Sequence, residues 1–138
     1  MTKITSAYLK SYINIPQWMF TIMGLKGTDA MVFAIIYGYC KNKDAYVGGY
    51  AYIASKIGKS LNAIIRSVHK LQTLGYISIE HSIGEVNTIK CNGLDVLKEV
   101  EICIENLDDL GQKKLEKIIK KLRDKIQKNI LQGDLNVL

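Results

Sequence analysis

The sequence predicts a mainly α-helical fold with a small β-hairpin, and three observations support it. Apolar residues recur at three- and four-residue spacing in several segments that begin and end at helix-capping residues. Two short runs, residues 76–80 and 86–91, instead alternate apolar and polar residues as strands do. Gly84 lies between these runs, so we expect them to pair as a hairpin. Helical spacing returns after residue 93, which adds C-terminal helices to the fold.

Length and composition predict a globular protein of ordinary size. The chain has 138 residues, of which 48% are hydrophobic, and it has one proline. Its apolar runs are well short of the roughly 20 residues that span a bilayer. The N-terminus shows no signal-peptide core. We therefore expect a cytoplasmic protein that does not enter a membrane.

The N-terminal third is predicted to place one helix at the centre of the core. Residues 11–15 alternate loosely and predict a short strand, and Pro16 suits the first turn of a helix that ends at Gly24. Thr28 is a good N-cap for the next helix. Because residues 30–39 are apolar on all sides, that helix is expected to be buried.

The middle of the chain contains two helices joined by a tight turn. Residues 50–57 have helical apolar spacing, and Gly58 ends that segment. Ser60 is a strong N-cap for a second helix over residues 61–74, and Gly75 suits its C-terminus. A helix, a turn and a helix followed by a hairpin form the winged helix-turn-helix arrangement. We assign this domain to residues 1–104.

One face of the second helix is suited to double-stranded DNA. At about 100° per residue, Ile64, Val68 and Leu71 face the core, and the opposite side carries asparagine, arginine, histidine and threonine. Asparagine can pair with adenine and arginine with guanine in the major groove, while lysines contact phosphates. The predicted DNA-binding residues are Lys56, Lys59, Ser60, Asn62, Ile65, Arg66, His69, Lys70 and Thr73.

The distribution of charge supports this interpretation more strongly than the net charge of +6 does. Residues 45–79 contain no Asp or Glu, whereas an ordinary solvated surface mixes both signs. A solvated helix face remains the alternative explanation for Arg66 and Lys70. Ile65, at the margin of the face, could contact a thymine methyl group, the hairpin or a protein. The hairpin tip has an acid, Glu85, and no basic residue, so we expect it to contribute little to DNA binding.

Two segments resemble a known group of proteins. Residues 13–39 (INIPQWMFTIMGLKGTDAMVFAIIYGY) and residues 50–79 (YAYIASKIGKSLNAIIRSVHKLQTLGYISI) resemble the winged-helix proteins of phages and mobile elements of Gram-positive bacteria. These include replisome organisers and DnaD-like N-terminal domains. The resemblance covers about residues 13–92 and implies DNA binding, often by homodimers, in transcription or replication. After about residue 105 the longer replisome organisers have a second domain for which this chain shows no counterpart.

Residues 105–138 are predicted to form an amphipathic C-terminal helix, running from residue 107 to residue 131 with a weak break at Gly111. Its apolar stripe can cover its own domain, pair with a second copy or lie on a membrane surface. Since DNA sites read by helix-turn-helix proteins are usually two half-sites, we favour a homodimer. The predicted dimerisation residues are Leu115, Ile119, Leu122, Ile126 and Ile130.

The sequence shows no enzyme, metal or cofactor motif. The histidines His69 and His81 lie on different predicted elements, and the cysteines Cys40, Cys91 and Cys103 are far apart, so we expect reduced thiols. Nucleophile-elbow, Walker, HExxH and GxGxxG patterns do not occur. We expect no catalytic activity, metal or cofactor. The alternative to DNA binding is a winged-helix protein that binds a host protein, such as an inhibitor of a defence nuclease.

Overall fold

A computed structural model describes residues 5–81 and 87–131 of the chain. In these ranges there are seven helices and three short strands, which confirms the predicted mainly α-helical fold with a small sheet. The helices are α1 (Ser6–Lys10), α2 (Gln17–Thr21), α3 (Gly27–Lys43), α4 (Tyr50–Ile57), α5 (Leu61–Leu74), α6 (Leu94–Glu105) and α7 (Gln112–Asn129), and the strands are β1 (Tyr46–Gly48), β2 (Ile77–Glu80) and β3 (Asn87–Cys91).

Helix α3 is the centre of the hydrophobic core. Val32, Phe33 and Ile36 are fully buried, and α3 packs against α2, α4, α5, β1 and β3. The ring of Tyr37 stacks on that of Phe33 at a centroid distance of 5.9 Å, and the ring of Tyr76 lies 5.6 Å from that of Phe33 on the same measure. The prediction of a buried central helix is therefore confirmed.

Two predictions for the N-terminal third are wrong. Residues 11–15 do not form a strand. Ile13 and Ile15 lie half-buried against the core, while the residue between them is exposed. The alternation of apolar and polar residues therefore reflects burial of every second side chain and not pairing with another strand. Thr28 is not an N-cap, because α3 already begins at Gly27 and the extended residue before that glycine takes the cap position.

The three strands form an antiparallel sheet in the order β1-β3-β2. Ile89 of β3 pairs with Tyr46 on one side and with Ile79 on the other. The predicted pairing of the two alternating runs is thus confirmed, and β1 adds a third strand to them. The tip of this hairpin, residues 82–86 with Glu85, lies outside the described residues.

The two helices of the motif have the predicted bounds. Helix α4 ends at Gly58, whose φ of 68° lies in the left-handed region where a side chain would be strained. The Ser60 hydroxyl accepts a hydrogen bond from the Ala63 backbone N–H at 3.2 Å, which caps α5. Ile64 and Leu71 of α5 are fully buried, so the predicted helical phase is confirmed.

The C-terminal helices pack onto the same core. Helix α7 begins at Gln112 and not at the predicted residue 107. Residues 107–111, which include the predicted break at Gly111, are not helical. It packs against α6, and Leu122, Ile126 and Ile130 of its apolar stripe are buried within the chain itself. The Arg123 guanidinium also donates to the Thr21 carbonyl oxygen, with Nε at 3.1 Å. The second half of the predicted dimerisation stripe therefore covers its own core.

We also find that no helix in the described part of the chain combines the length and the hydropathy that a membrane span requires.

Replacing Val68 with aspartate is expected to unfold the domain, because it would bury an unpaired carboxylate at a position with no exposed surface. We expect Val68→Asp to lower the free energy of unfolding by about 3 kcal/mol or more, and His69→Asp, on the exposed side of the same turn, by about 0.5 kcal/mol. Urea unfolding followed by circular dichroism measures both. Equal losses in the two variants would show that the orientation of α5 is wrong.

Candidate nucleic-acid interface

The exposed face of α5 brings together four of the predicted site residues. Asn62, Arg66, His69 and Thr73 are all exposed, opposite the buried Ile64, Val68 and Leu71. From Asn62 to Thr73 this face extends about 16 Å at 1.5 Å per residue. That length matches about five base pairs at the 3.4 Å spacing of one DNA strand. The face is thus long enough to follow one stretch of a major groove.

The residues before α5 have different surroundings. Lys59 and Ser60 are exposed at the helix N-terminus, although the Ser60 hydroxyl is already used as the helix cap. Lys56 is half-buried, and its ammonium lies 5.7 Å from the centroid of the Tyr52 ring. A cation over an aromatic ring is held in place by the ring's negative face. Lys59 is therefore better placed for a phosphate than Lys56.

An apolar margin runs beside the polar face. Ile65 is half-buried, and Leu61, one turn earlier, is 48% exposed. Residues four apart lie on the same side of a helix, so the two side chains form one small patch. The patch is a candidate contact for a protein side chain as well as for a thymine methyl group.

Asp29 is a site residue that the sequence analysis missed. Its carboxylate lies 3.0 Å from the Lys70 ammonium and accepts a hydrogen bond from the Ser67 hydroxyl at 2.7 Å. The Asp29 side chain is 16% exposed and that of Lys70 is 65% exposed, so the acid is the more enclosed partner. Lys70 is thus exposed and partly neutralised at the same time.

Residues 45–79 contain no Asp or Glu, but the fold places the carboxylate of Asp29 next to them. Asp29 lies in the first turn of α3, and the packing of α3 against α5 brings it to the edge of the exposed face. Ser67 was the signal that could have revealed it, because a polar residue on the buried side of an amphipathic helix needs a hydrogen-bonding partner.

The sheet beside α5 carries a mixed pair of charges. Lys90 and Glu80 form an ion pair at 3.7 Å across β2 and β3. The ring of His81 contacts the Asn87 side chain, with Nδ1 2.7 Å from Oδ1. These pairs make the described base of the hairpin close to neutral, in contrast to the basic face of α5.

Two of the three cysteines come together in the structure, because the Cys40 and Cys91 thiols are hydrogen-bonded to each other. Cys40 is buried, Cys91 is half-buried and Cys103 is exposed, and none of them forms a disulfide. Within residues 5–81 and 87–131, no three His, Cys, Asp or Glu residues are grouped so that they could hold a metal ion.

Comparison with known proteins agrees with this geometry. Residues 23–77 match the sequence model of a family described as "Helix-turn-helix domain". The match extends from the residues before α3 to the first residue of β2, and it includes α5 and Asp29. No curated protein and no solved structure matches the chain significantly. The chain therefore contains a helix-turn-helix domain, and such a domain supports a DNA-binding function.

Replacing Asp29 with asparagine is expected to strengthen binding to random duplex DNA several-fold at about 0.1 M salt. The amide still accepts from Ser67 but leaves Lys70 available to a phosphate. One more neutralised phosphate should steepen the slope of log affinity against log salt by about 0.9. Fluorescence anisotropy at several salt concentrations measures both effects.

The matched control is Asp44→Asn, which removes an exposed acid just beyond the opposite end of α3. An equal gain in the two variants would indicate a general charge effect and would contradict a specific role for the Asp29–Lys70 pair.

Proposed function

We propose that this protein is a non-enzymatic, sequence-specific double-stranded DNA-binding protein that inserts α5 into the major groove. The observation that carries the proposal is the exposed polar face of α5 within a helix-turn-helix domain. Asn62, Arg66, His69 and Thr73 follow one another along this face. Helices that present such side chains, backed by a buried apolar side, are how helix-turn-helix proteins reach base edges.

The proposed roles follow from side-chain chemistry and exposure. Arg66 reads guanine by a bidentate contact to O6 and N7, and Asn62 reads adenine by a bidentate contact to N6 and N7. His69 and Thr73 add contacts near the C-terminal end of the helix. Lys59 and Lys70 contact phosphates and fix the register of the helix in the groove.

We further propose that the protein serves transcription regulation or replication initiation in a phage or another mobile element. The resemblance of residues 13–92 to winged-helix proteins of Gram-positive phages supports this. Both processes need a protein that recognises a specific duplex sequence, so the site on α5 is the same in either case.

A homodimer is part of this proposal. Four side chains on one α5 are few for selecting a site among the competing sequences of a genome, and two copies double the contacts. Since Leu122, Ile126 and Ile130 already cover the chain's own core, the second copy would contact the first half of the stripe. Leu115 and Ile119 are half-buried there.

Binding of a protein partner is the second candidate function, and the Leu61–Ile65 patch favours it. Leu61 is one of the large apolar side chains that the structure leaves exposed. A protein partner would bury this patch with weak dependence on salt, whereas duplex DNA would bind with a steep dependence. Pull-down from host cells with and without nuclease separates the two candidates.

Replacing Arg66 with alanine is expected to reduce affinity for a duplex obtained by in vitro selection by about 1–3 kcal/mol. The preference for the base that Arg66 reads should also be relaxed. Lys98→Ala, which removes an equal charge from an exposed position on α6, is the control and should leave the preference unchanged. Competition binding with single-base variants of the duplex measures the preference. An unchanged preference in Arg66→Ala would contradict the assignment of α5 as the recognition helix.

Sedimentation equilibrium of the full chain is expected to give twice the monomer mass at concentrations that saturate the selected duplex. Leu115→Asp should shift the protein toward the monomer and weaken binding to paired half-sites. Gln112→Asp, which adds the same charge at an exposed position in the first turn of α7, should not shift the protein toward the monomer and should affect binding to paired half-sites less than Leu115→Asp does. A full chain that remains monomeric while it saturates the duplex would contradict the homodimer.

A further inference from the structure

Helix α7 has a basic outer face, which we define as the side opposite its buried residues Leu122 and Ile126. At about 100° per residue, six exposed lysines share this side. They are Lys113, Lys114, Lys117, Lys120, Lys121 and Lys128. From the first to the last of them the outer face extends about 22 Å at 1.5 Å per residue. It is a line of positive charge on the surface of the domain.

The ammonium groups of the outer face are not neutralised within the chain. In the part of the chain that the structure describes, the ion pair on α7 joins Lys125, at the margin of the face, to Glu99 of α6. The six lysines form none there. Asp124 lies on the face and Glu116 at its margin, but the Glu116 carboxylate accepts instead from the Gln112 amide at 3.2 Å. The outer face therefore keeps most of its positive charge.

The stability of the fold does not account for this face. Lys113, Lys117 and Lys121 follow one another at four-residue spacing, where like charges destabilise a helix. The burial that fixes α7 to the domain comes from apolar residues on the other side of the helix. A surface of mixed charge would keep the helix soluble without this repulsion. An anionic partner that neutralises the lysines would relieve it.

The chemistry of the outer face favours the phosphates of a duplex as that partner. Protein interfaces are depleted in lysine, whereas lysine is a common partner of DNA phosphates. A membrane-surface helix inserts its apolar side, but the apolar side of α7 is buried in the core. Proteins that bind single strands stack the bases on aromatic rings, and α7 has no aromatic residue.

We propose that the outer face of α7 binds the phosphate backbone of double-stranded DNA without regard to sequence, as a second contact besides the α5 face. At 3.4 Å per phosphate, a face of this length follows about six phosphates of one strand. Leu115 and Ile119, the proposed contacts of a second copy, lie on the opposite side of the helix. A homodimer would therefore leave the outer face free.

The triple variant Lys113→Gln/Lys117→Gln/Lys121→Gln of the full chain tests the proposal. Its affinity for random duplex DNA should fall about tenfold or more at about 0.1 M salt, because each lost phosphate contact lowers the slope of log affinity against log salt by about 0.9. Its melting temperature should stay equal or rise, because the repulsion between neighbouring lysines is removed. Fluorescence anisotropy at several salt concentrations and thermal unfolding measure these effects.

The matched control is Lys10→Gln/Lys43→Gln/Lys98→Gln, which removes the same charge from exposed positions on α1, α3 and α6. It should lower the affinity and the slope much less. Equal losses in the two triple variants would show that only net charge matters and would overturn the proposal.

Three further measurements test the kind of partner. Arginine at the same three positions of α7 keeps the charge and should keep the affinity within about twofold of the parent, whereas a loss as large as that of the glutamine variant would overturn the proposal. Single-stranded DNA of the same length should bind more weakly than the duplex, and tighter binding would contradict the choice of a duplex. Vesicles with about 30% phosphatidylserine in phosphatidylcholine should not displace the duplex at equal phosphate concentration, and displacement would overturn the choice of DNA.

The outer face can be tested separately from the proposed function of α5. The glutamine variant should lose affinity for the selected duplex and for its single-base variants by the same factor, and a changed preference would contradict a sequence-independent contact. If Arg66→Ala leaves the preference unchanged while the glutamine variant loses affinity, the proposed function is wrong and the α7 contact stands. If Arg66→Ala relaxes the preference while the glutamine variant matches its control, the α7 contact is wrong and the proposed function stands.

Discussion

Packing of α5 against α3 determines which part of this protein can face a nucleic acid. Burial of Ile64, Val68 and Leu71 against the core stabilises the fold by roughly 1.5–3 kcal/mol for each side chain. Because these residues recur at three- and four-residue spacing, their burial leaves Asn62, Arg66 and His69 on the opposite side. The polar face is exposed as a direct consequence of apolar burial one half-turn away.

The same contact places a constraint on the charge of that face. Asp29 of α3 lies in the interface with α5, where its enclosed carboxylate needs partners, and Ser67 and Lys70 of α5 supply them. This arrangement stabilises the packing of the two helices but reduces the positive potential at one edge of α5. Stability and nucleic-acid attraction therefore compete at Lys70, whereas Arg66 and Lys59 lie outside the ion pair.

Local signals predicted the motif well, and contacts between distant segments account for what the sequence could not predict. Gly58, Ser60 and Gly75 fix the ends of α4 and α5 by backbone conformation and capping, so the predicted bounds match the structure. The Asp29–Lys70 pair joins residues 41 positions apart. Ser67 on the buried side of α5 indicates that a polar partner is needed, but nothing along the chain identifies Asp29 as that partner. The loose alternation of residues 11–15 was misleading for a related reason, since burial against α3 produces the same alternation as a strand.

The C-terminal helix shows why the net charge says little about the nucleic-acid face. Helix α7 carries eight basic and two acidic residues, an excess as large as the +6 of the whole chain. Its buried side closes the core, with Ile130 packed so near Gly93 that a Cβ on this glycine would lie 2.5 Å from the isoleucine Cγ1. The lysines of α7 are therefore fixed to the domain and add to its long-range attraction for any polyanion, which salt screens beyond about 8 Å under physiological conditions. The salt dependence of polyanion binding by the whole protein thus includes contributions from both α5 and α7. Differences between single-residue variants of equal charge separate the contribution of α5 from this background.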